Sequence, residues 1–251
     1  MIRPWAGLRI AGLALAAAVT GATAQAVECR DLQVGPNGFT ICEARASEDI
    51  RLFLRDSSGA ILGQFSRVED LVLPKGQSLQ FAMNAGMFHP DRSPVGLYIE
   101  DFQQERRVVP NAGPGNFGML PNGVFCIRMD RADVIETRRF VASKAACRFA
   151  TQSGPMLVID GELHPRFLPD STSRFVRNGV GTSEDGQRVV FAISRNPVTF
   201  HDFGSLFRDT LSLPQALYFD GKVSRLLATR IGRDDLGFPV GPIVGIVGPR
   251  N

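Results

Sequence analysis

Lysine, tryptophan, tyrosine and histidine are all scarce in this 251-residue chain. It has one Trp, two Tyr, three His and three Lys, so nearly all of its positive charge is arginine. The formal net charge is only +3, and no segment concentrates it into a basic stripe, which argues against binding to nucleic acid. Because Trp and Tyr are few beside 18 Phe, the core is expected to consist of Phe, Val, Ile and Leu.

Long apolar runs are missing beyond the N-terminus, which excludes a multi-span membrane protein. Hydrophobic residues make up 44% of the chain and the net charge is small, so the composition is not that of a disordered protein. The 26 Gly and 16 Pro are too many for a helical bundle. The length and the lack of a break in composition favour one domain after the N-terminal segment.

The N-terminal segment, residues 1–26, has the pattern of a secretory signal peptide. Arg3 and Arg9 flank its start, Ile10 to Val19 form a short apolar run, and small-x-small triplets follow at residues 22–24 and 24–26. The run is short and Ala-rich for a permanent anchor, which is the alternative interpretation. Cleavage would leave residues 27–251 in the periplasm or outside the cell, with no stable membrane span.

The four cysteines all lie in the predicted mature chain. An even number in an exported protein predicts two disulfides, and four cysteines allow three connectivities. We favour Cys29–Cys42 and Cys126–Cys147 because each closes a short loop. The chain has no Cys-x-x-Cys, its histidines are scattered, and no EF-hand-like loop is present, so we predict neither a metal nor a cofactor.

Short apolar runs bounded by turn residues predict a domain dominated by strands. The predicted strands are Phe39–Ala44, Ile50–Arg55, Ser78–Met83, Gly96–Glu100, Gly123–Met129, Met156–Ile159, Arg188–Ser194 and Ala216–Phe219. The expected fold class is α+β, with a mixed, mostly antiparallel sheet and a few packed helices. Residues 237–248, interrupted by two prolines, are expected to form a final edge segment.

Helical patterns are fewer. Residues 134–146 are expected to be partly helical. The best helix spans Phe200 to Leu213, with Thr199 and Asp202 as a reciprocal N-terminal cap. One face of this helix would carry Phe203, Leu206, Phe207, Thr210 and Leu211.

Four segments combine glycine with polar residues at the ends of apolar runs, where a ligand can approach the backbone closely. They are Asn84–His89, Gln152–Leu157, Arg177–Gly181 and Asp220–Ser224. Each taken alone is more often a turn or a surface feature than a site. Ser153 invites comparison with a serine nucleophile, but the Gly-x-Ser-x-Gly elbow is absent.

The order of these segments resembles the phosphodiester glycosidase family. The matching features are Asn84-Ala85-Gly86-Met87-Phe88, Gln152 to Leu157 with Asp160-Gly161, Arg177 to Gly181, and Asp220-Gly221 with Ser224, together spanning about residues 80–230. Many members of the family continue the last segment as Asp-Gly-Gly-Gly-Ser. This chain has Lys222 and Val223 in place of two glycines, which restricts close backbone approach there.

The resemblance implies an exported hydrolase that cleaves a sugar from a sugar-1-phosphodiester, with envelope glycan or exopolysaccharide as a conceivable source. A phosphate leaving group has a second pKa of about 6 and departs with little protonation, so the site chiefly needs an anion clamp and a carboxylate. The clamp is assigned to Arg177 with Asn178 and the backbone at Gly179, because Arg binds anions bidentately. Asp220 is the candidate carboxylate. His89 is a candidate proton shuttle, although a plain loop histidine is an equal alternative.

The remaining positions of the motifs are candidate substrate-binding residues. Asn84 and Ser224 would orient sugar or phosphate oxygens, and the others are Gly86, Ser153, Gly154 and Gly221. Asp220→Asn and Arg177→Ala are each expected to abolish most turnover while the protein stays folded. The alternative function is a non-catalytic glycan- or phosphate-binding module of the same fold, because a fold alone does not guarantee activity.

Overall fold

The structure is a computed structural model that describes Met1, residues 27–220 and residues 223–250. Apart from Met1, the predicted signal peptide lies outside the described residues, as do Gly221 and Lys222. None of the helices in the described part is long and apolar enough to cross a membrane. The fold is α+β, as predicted, and the strand pairings within it are antiparallel.

Seventeen strands form three sheets within the described residues. In chain order they are β1 (Glu28–Val34), β2 (Asn37–Arg45), β3 (Asp49–Phe53), β4 (Gln77–Asn84), β5 (Tyr98–Glu100), β6 (Gln103–Arg106), β7 (Gly123–Ile127), β8 (Ala132–Glu136), β9 (Phe149–Ser153), β10 (Met156–Ile159), β11 (Glu162–Leu163), β12 (Asn178–Thr182), β13 (Arg188–Ser194), β14 (Gln215–Asp220), β15 (Leu226–Ala228), β16 (Arg233–Asp234) and β17 (Ile243–Pro249). The sheet orders are β1-β2-β13-β12-β14-β10-β11, β16-β15-β4-β17-β3 and β6-β5-β9-β7-β8.

The three sheets share one core, and the central strands of the seven-stranded sheet are buried on both faces. Phe191 of β13 contacts Phe81 of β4 and Phe125 of β7, with ring centroids 4.7 and 5.9 Å apart. One aromatic cluster therefore joins a strand from each sheet. The opposite face of the seven-stranded sheet packs against α3 (Phe200–Ser205) and the π-helical turn Leu206–Thr210 that continues it. Two further α-helices, α1 (Phe65–Val72) and α2 (Thr137–Ser143), and two 3-10 turns, Leu73–Lys75 and Thr229–Ile231, complete the described fold.

All eight predicted strands form, and both predicted disulfides are present, with Cα–Cα distances of 4.0 Å for Cys29–Cys42 and 5.5 Å for Cys126–Cys147. The capping box of α3 is also confirmed. The Thr199 side chain accepts from the Asp202 N–H at 3.0 Å, and the Asp202 carboxylate accepts from the Thr199 N–H at 3.1 Å.

Two expectations were wrong in detail. The helix beginning at Phe200 turns π-helical at Leu206 and ends at Thr210, and the extra residue in that turn rotates Thr210 to the surface. The C-terminal segment is not an edge. Strand β17 lies between β3 and β4, because its prolines flank the paired residues and do not interrupt the ladder.

Most of the Arg177–Gly181 segment, whose glycines were expected to let a ligand approach the backbone, belongs to a central strand, β12. A Cβ on Gly179 would lie 2.5 Å from the Leu217 carbonyl oxygen, and a Cβ on Gly181 would lie 2.8 Å from Phe207 Cδ1. Because residues two apart share a face of a strand, these glycines let β14 and the α3 region approach closely. Their role in the fold is therefore packing.

Candidate active site

A cavity of about 610 Å³ opens at the end of β14. The cavity is lined by the segment after β4, by the end of β14 and by two loops. The lining residues are Met87, Phe88, His89, Pro90, Arg92, Val95, Gly115, Asn116, Phe175, Tyr218, Asp220 and Val223. The walls are largely apolar, with a few polar groups among them, which is the usual make-up of a small-molecule site.

Asp220 and Tyr218 both line this cavity because they lie two residues apart on β14 and so share a face of the strand. Asp220 is half-buried at the last position of the strand. It is the one carboxylate among the described residues that line the cavity. Asp220 therefore ends a strand, as predicted, and lies on the cavity wall, while its role in the site stays a prediction.

A buried amide network holds the end of β14 in place. The Asn178 side chain accepts from the Asp220 N–H at 3.0 Å and donates to the Asn84 carbonyl oxygen at 2.8 Å. Asn84 Oδ1 accepts from Asn178 at 3.1 Å and from the Arg225 N–H at 2.9 Å. Asn84 and Asn178 are fully buried, so they connect β4, β12 and β14 beneath the cavity and do not line it.

Arg177 lies behind the cavity wall, with a side chain only 1% exposed. Its Nε donates to the Val198 carbonyl at 3.0 Å, and its Nη2 donates to the Ser173 carbonyl at 3.1 Å. The guanidinium carbon lies 3.6 Å from the centre of the Phe200 ring and 5.5 Å from that of Tyr218. Within the described residues it forms no ion pair, so a buried positive charge lies directly behind the Tyr218 wall.

Burial raises the pKa of Tyr218 well above its usual range, so the phenol is neutral and can donate a hydrogen bond at any physiological pH. Arg177 and Asn116 lie near its hydroxyl and lower its pKa by less than burial raises it. The same burial lowers the pKa of Arg177, which nevertheless remains a cation because an arginine starts so high. Tyr218 therefore connects the buried cation to the cavity.

The other candidate residues divide between the cavity, the framework and a neighbouring depression. His89 is exposed on the cavity wall. Ser224 is half-buried, and its hydroxyl donates to the Asp220 carbonyl at 3.0 Å. It lines a separate depression with Arg195 and Arg233. Gly221 lies outside the described residues.

Four candidates are buried in the framework instead of lining the cavity. The Ser153 hydroxyl donates to the Phe219 carbonyl at 2.7 Å, which joins β9 to β14. Gly86 and Gly154 are glycines because a Cβ would lie 2.5 Å from the Gln152 carbonyl oxygen and 2.6 Å from Asn122 Cβ, respectively. With Gly179 inside β12, these positions shape the site from a distance.

Sequence reasoning missed several lining residues, notably Arg92, Asn116, Phe175 and Tyr218. Tyr218 could have been found, because the period of two along a strand places it on the same face as Asp220. Asn116 and Phe175 come from loops with no motif. In the described residues no group of three His, Cys, Asp or Glu side chains is placed to hold a metal ion.

An antiparallel α+β framework places a strand-end aspartate and a tyrosine on the wall of one cavity, with a buried arginine behind that wall. The chain belongs to the phosphodiester glycosidase family, whose family model matches residues 77–246. It is 34% identical over 180 residues to YigE of Escherichia coli (strain K12), a protein of uncharacterized function, with 72% of this chain and 70% of YigE covered.

Two solved structures share the fold. The catalytic domain of zebrafish N-acetylglucosamine-1-phosphodiester alpha-N-acetylglucosaminidase, auto-inhibited by its pro-peptide, is similar with a TM-score of 0.59 and 11% identity over 88% of this chain and 82% of that one. A Burkholderia pseudomallei K96243 protein whose name marks it as exported has a TM-score of 0.50 and 11% identity, with 84% of this chain and 74% of that one covered. At these identities the likeness concerns the fold alone.

Proposed function

We propose that the protein is a hydrolase that cleaves the bond between a sugar's anomeric carbon and the oxygen of a phosphodiester. The single observation that carries the proposal is that Asp220 lines the cavity beside Tyr218, whose ring centre lies 5.5 Å from the guanidinium carbon of the buried Arg177. The name of the zebrafish enzyme supplies the substrate class, an N-acetylglucosamine-1-phosphodiester.

The chemistry suits a cavity with one carboxylate. Most glycosidases pair two carboxyl groups because the leaving alcohol must be protonated. Here the bond between the anomeric carbon and the bridging oxygen breaks, and the oxygen stays on phosphorus with the electron pair. The leaving group is therefore a phosphomonoester, which is a stable anion. Water supplies the oxygen bonded to the anomeric carbon, and its proton passes to the phosphate or to solvent. Asp220 would stabilise positive charge at the anomeric carbon or accept the proton from water.

The other polar groups would act on the leaving group and on the sugar. The Tyr218 phenol is a neutral donor, so it can hydrogen-bond a phosphate oxygen on which charge develops. Arg177 would strengthen this donor from behind, because a buried cation next to the hydroxyl increases its polarity. His89 remains a candidate for moving the proton at the cavity mouth, and the apolar walls would hold the sugar face and exclude water.

We further propose that the protein acts in the periplasm or outside the cell. The signal-like residues 1–26 and the two disulfides support this location, since disulfides persist in oxidising compartments. N-terminal sequencing of the protein purified from its host would test it, because a mature chain starting near residue 25 or 27 is expected and an intact Met1 would contradict it.

The direct test is release of N-acetylglucosamine from the methyl phosphodiester of N-acetylglucosamine 1-phosphate. Asp220→Asn is expected to lower kcat by about 10²- to 10⁴-fold with little change in Tm, because general acid–base or charge stabilisation at the reacting carbon is lost. Asp160→Asn is a matched control, since Asp160 is an exposed aspartate paired with Arg139 at 2.8 Å outside the cavity. Equal activity of Asp220→Asn and the wild type would overturn the assignment.

A binding module is the second candidate, and the observation that favours it is that Lys222 and Val223 replace two glycines of the family's last motif. In that case calorimetry would detect binding of the phosphodiester to the wild type while no sugar is released. The Asp220→Asn variant would then bind with similar or greater affinity, because removing a negative charge favours an anionic ligand.

A further inference from the structure

We propose that Arg92, and not Arg177, is the arginine that contacts the phosphodiester. This inference rests on the proposed function and names the anion-binding residue of the same cavity. Among the described lining residues, Arg92 is the one with a permanent positive charge. It is half-buried, and its guanidinium carbon lies 5.4 Å from the centre of the Phe88 ring, which also lines the cavity.

The two arginines differ in how far their donors are already occupied. Arg177 is 1% exposed, and its Nε and Nη2 donate to two backbone carbonyls. Arg92 forms no ion pair within the described residues, and the Phe88 ring is its contact there. A guanidinium with free donors at a cavity wall can bind a phosphate oxygen pair bidentately.

The backbone at Arg92 supplies an independent argument. Its φ is +72°, a left-handed conformation that is easy for glycine and costs other residues free energy. The His89 N–H donates to the Ser93 carbonyl and the Arg92 N–H donates to the His89 carbonyl, both at 2.8 Å. This is a tight hairpin turn whose left-handed position usually carries glycine. An arginine there indicates that its side chain has a use that outweighs the strain.

The hairpin is also fixed against the body of the protein, so that Arg92 is held in position before a ligand arrives. Asp91 accepts from the Ser93 N–H at 3.0 Å and from its hydroxyl at 2.7 Å. A Cβ on Gly241 would lie 2.5 Å from Phe88 and 2.8 Å from the Arg92 carbonyl oxygen. Because this close packing already holds the hairpin in place, little conformational entropy is lost there when a ligand binds.

The test compares Arg92→Gly with the wild type in KM, kcat and Tm. We expect KM for the methyl phosphodiester to rise about 10- to 100-fold, the usual effect of losing charged hydrogen bonds, while kcat changes less than about threefold. We also expect Tm to stay level or to rise by about 1–4 °C, because glycine relieves the left-handed strain. Arg92→Lys should recover part of the affinity, since it keeps the charge but not the planar fork.

Lys144→Gly is the matched control, because Lys144 is also a non-glycine residue with positive φ (+49°), exposed at the C-terminal cap of α2 and outside the cavity. The Tm of Lys144→Gly should likewise stay level or rise, and its KM should not change. Unchanged KM in Arg92→Gly, or a rise in KM accompanied by a fall in Tm of several degrees, would overturn the proposal.

Calorimetry with N-acetylglucosamine 1-phosphate separates this proposal from the function it rests on. If the wild type binds this ligand without turning over the diester, and Arg92→Gly binds it at least tenfold more weakly, the hydrolase is refuted and the assignment of Arg92 stands. If wild type and Arg92→Gly bind it equally, or neither binds it, the assignment of Arg92 fails.

Discussion

Arg177 shows that residue type and motif can single out a residue without revealing how deeply it is buried. An arginine in a glycine-rich polar segment was expected to grip the substrate directly, but its side chain lies under the cavity wall, stacked 3.6 Å above Phe200. With its guanidinium held by two carbonyls and a ring, Arg177 can act on a ligand only indirectly, which is the role that we propose for it.

The buried position also revises the expected outcome of Arg177→Ala. Truncation would leave a cavity and unpaired carbonyls, which costs about 3–5 kcal/mol, so this variant should lose Tm together with activity. Arg177→Met fills most of the space and removes the charge. We expect it to fold and to lower kcat/KM by about 10- to 100-fold, because the Tyr218 hydroxyl loses its cationic partner.

Activity and thermal-unfolding measurements on both variants test this interpretation. Arg139→Ala serves as the control, because Arg139 forms an exposed pair with Asp160 of a kind that contributes little to stability. An Arg177→Met variant with full activity would remove the electrostatic role, and a stable Arg177→Ala variant would contradict the claimed burial.

At the scale of elements, a short apolar run bounded by turn residues was enough to find strands such as Arg188–Ser194, which is buried on both faces. It failed for β12, because Asn178–Thr182 carries two glycines whose purpose depends on what packs above them. A glycine needed for a turn and a glycine needed for close packing are the same letter in the sequence. The difference is a three-dimensional distance.

The packing role of β12 predicts that Gly179→Ala destabilises the fold. Its added Cβ would lie 2.5 Å from the Leu217 carbonyl oxygen, which belongs to backbone and cannot move aside cheaply. We expect a loss of about 2–3 kcal/mol and a Tm lower by roughly 5–10 °C. Thermal unfolding followed by circular dichroism measures it.

Gly113→Ala is the control for this prediction, because Gly113 is exposed and the nearest atom to its added Cβ is 3.9 Å away. It should leave Tm within about 1–2 °C of the wild type. Similar stabilities for the two alanine variants would show that β12 tolerates a side chain at Gly179.

At the scale of the whole molecule, the site could be predicted only in part because it gathers segments far apart in the chain. The acid of Asp220 was found from its strand-end position and from the resemblance of its segment. Asn116 and Phe175, by contrast, reach the cavity from loops whose paths depend on the whole fold. No local pattern encodes where a long loop packs.

One such loop follows β11 and is joined to the site by a column of stacked side chains. His164, 1% exposed, stacks on Phe167 at 4.9 Å, and Phe167 stacks on Phe200 at 5.0 Å. The guanidinium carbon of Arg177 in turn lies 3.6 Å from the centre of the Phe200 ring. The packing of this loop is therefore coupled to the positive charge behind the cavity.

The column makes the stability of the whole fold sensitive to mild acid. Burial lowers the pKa of His164; the Leu120 backbone opposes this by a smaller amount and the nearby charge of Arg166 adds to it, so the folded protein favours the neutral ring. Its Nδ1 accepts from the Arg166 N–H at 3.2 Å, a bond that a protonated ring would lose. Below about pH 6.5 the unfolded chain takes up the proton more readily than the folded one, so this contribution to stability is present above that pH and declines as pH falls.

His164→Phe isolates the effect, since it keeps an aromatic ring for Phe167 and does not titrate. Between pH 7.5 and 5, the unfolding free energy of the wild type should fall faster than that of the variant, by at most about 1.4 kcal/mol per pH unit below pH 6.5. Urea unfolding at several pH values measures both curves. If the unfolding free energies of the two proteins changed with pH in parallel, the His164 ring would accept a proton as easily in the folded state as in the unfolded one. The loop after β11 would then be linked to the site by packing alone.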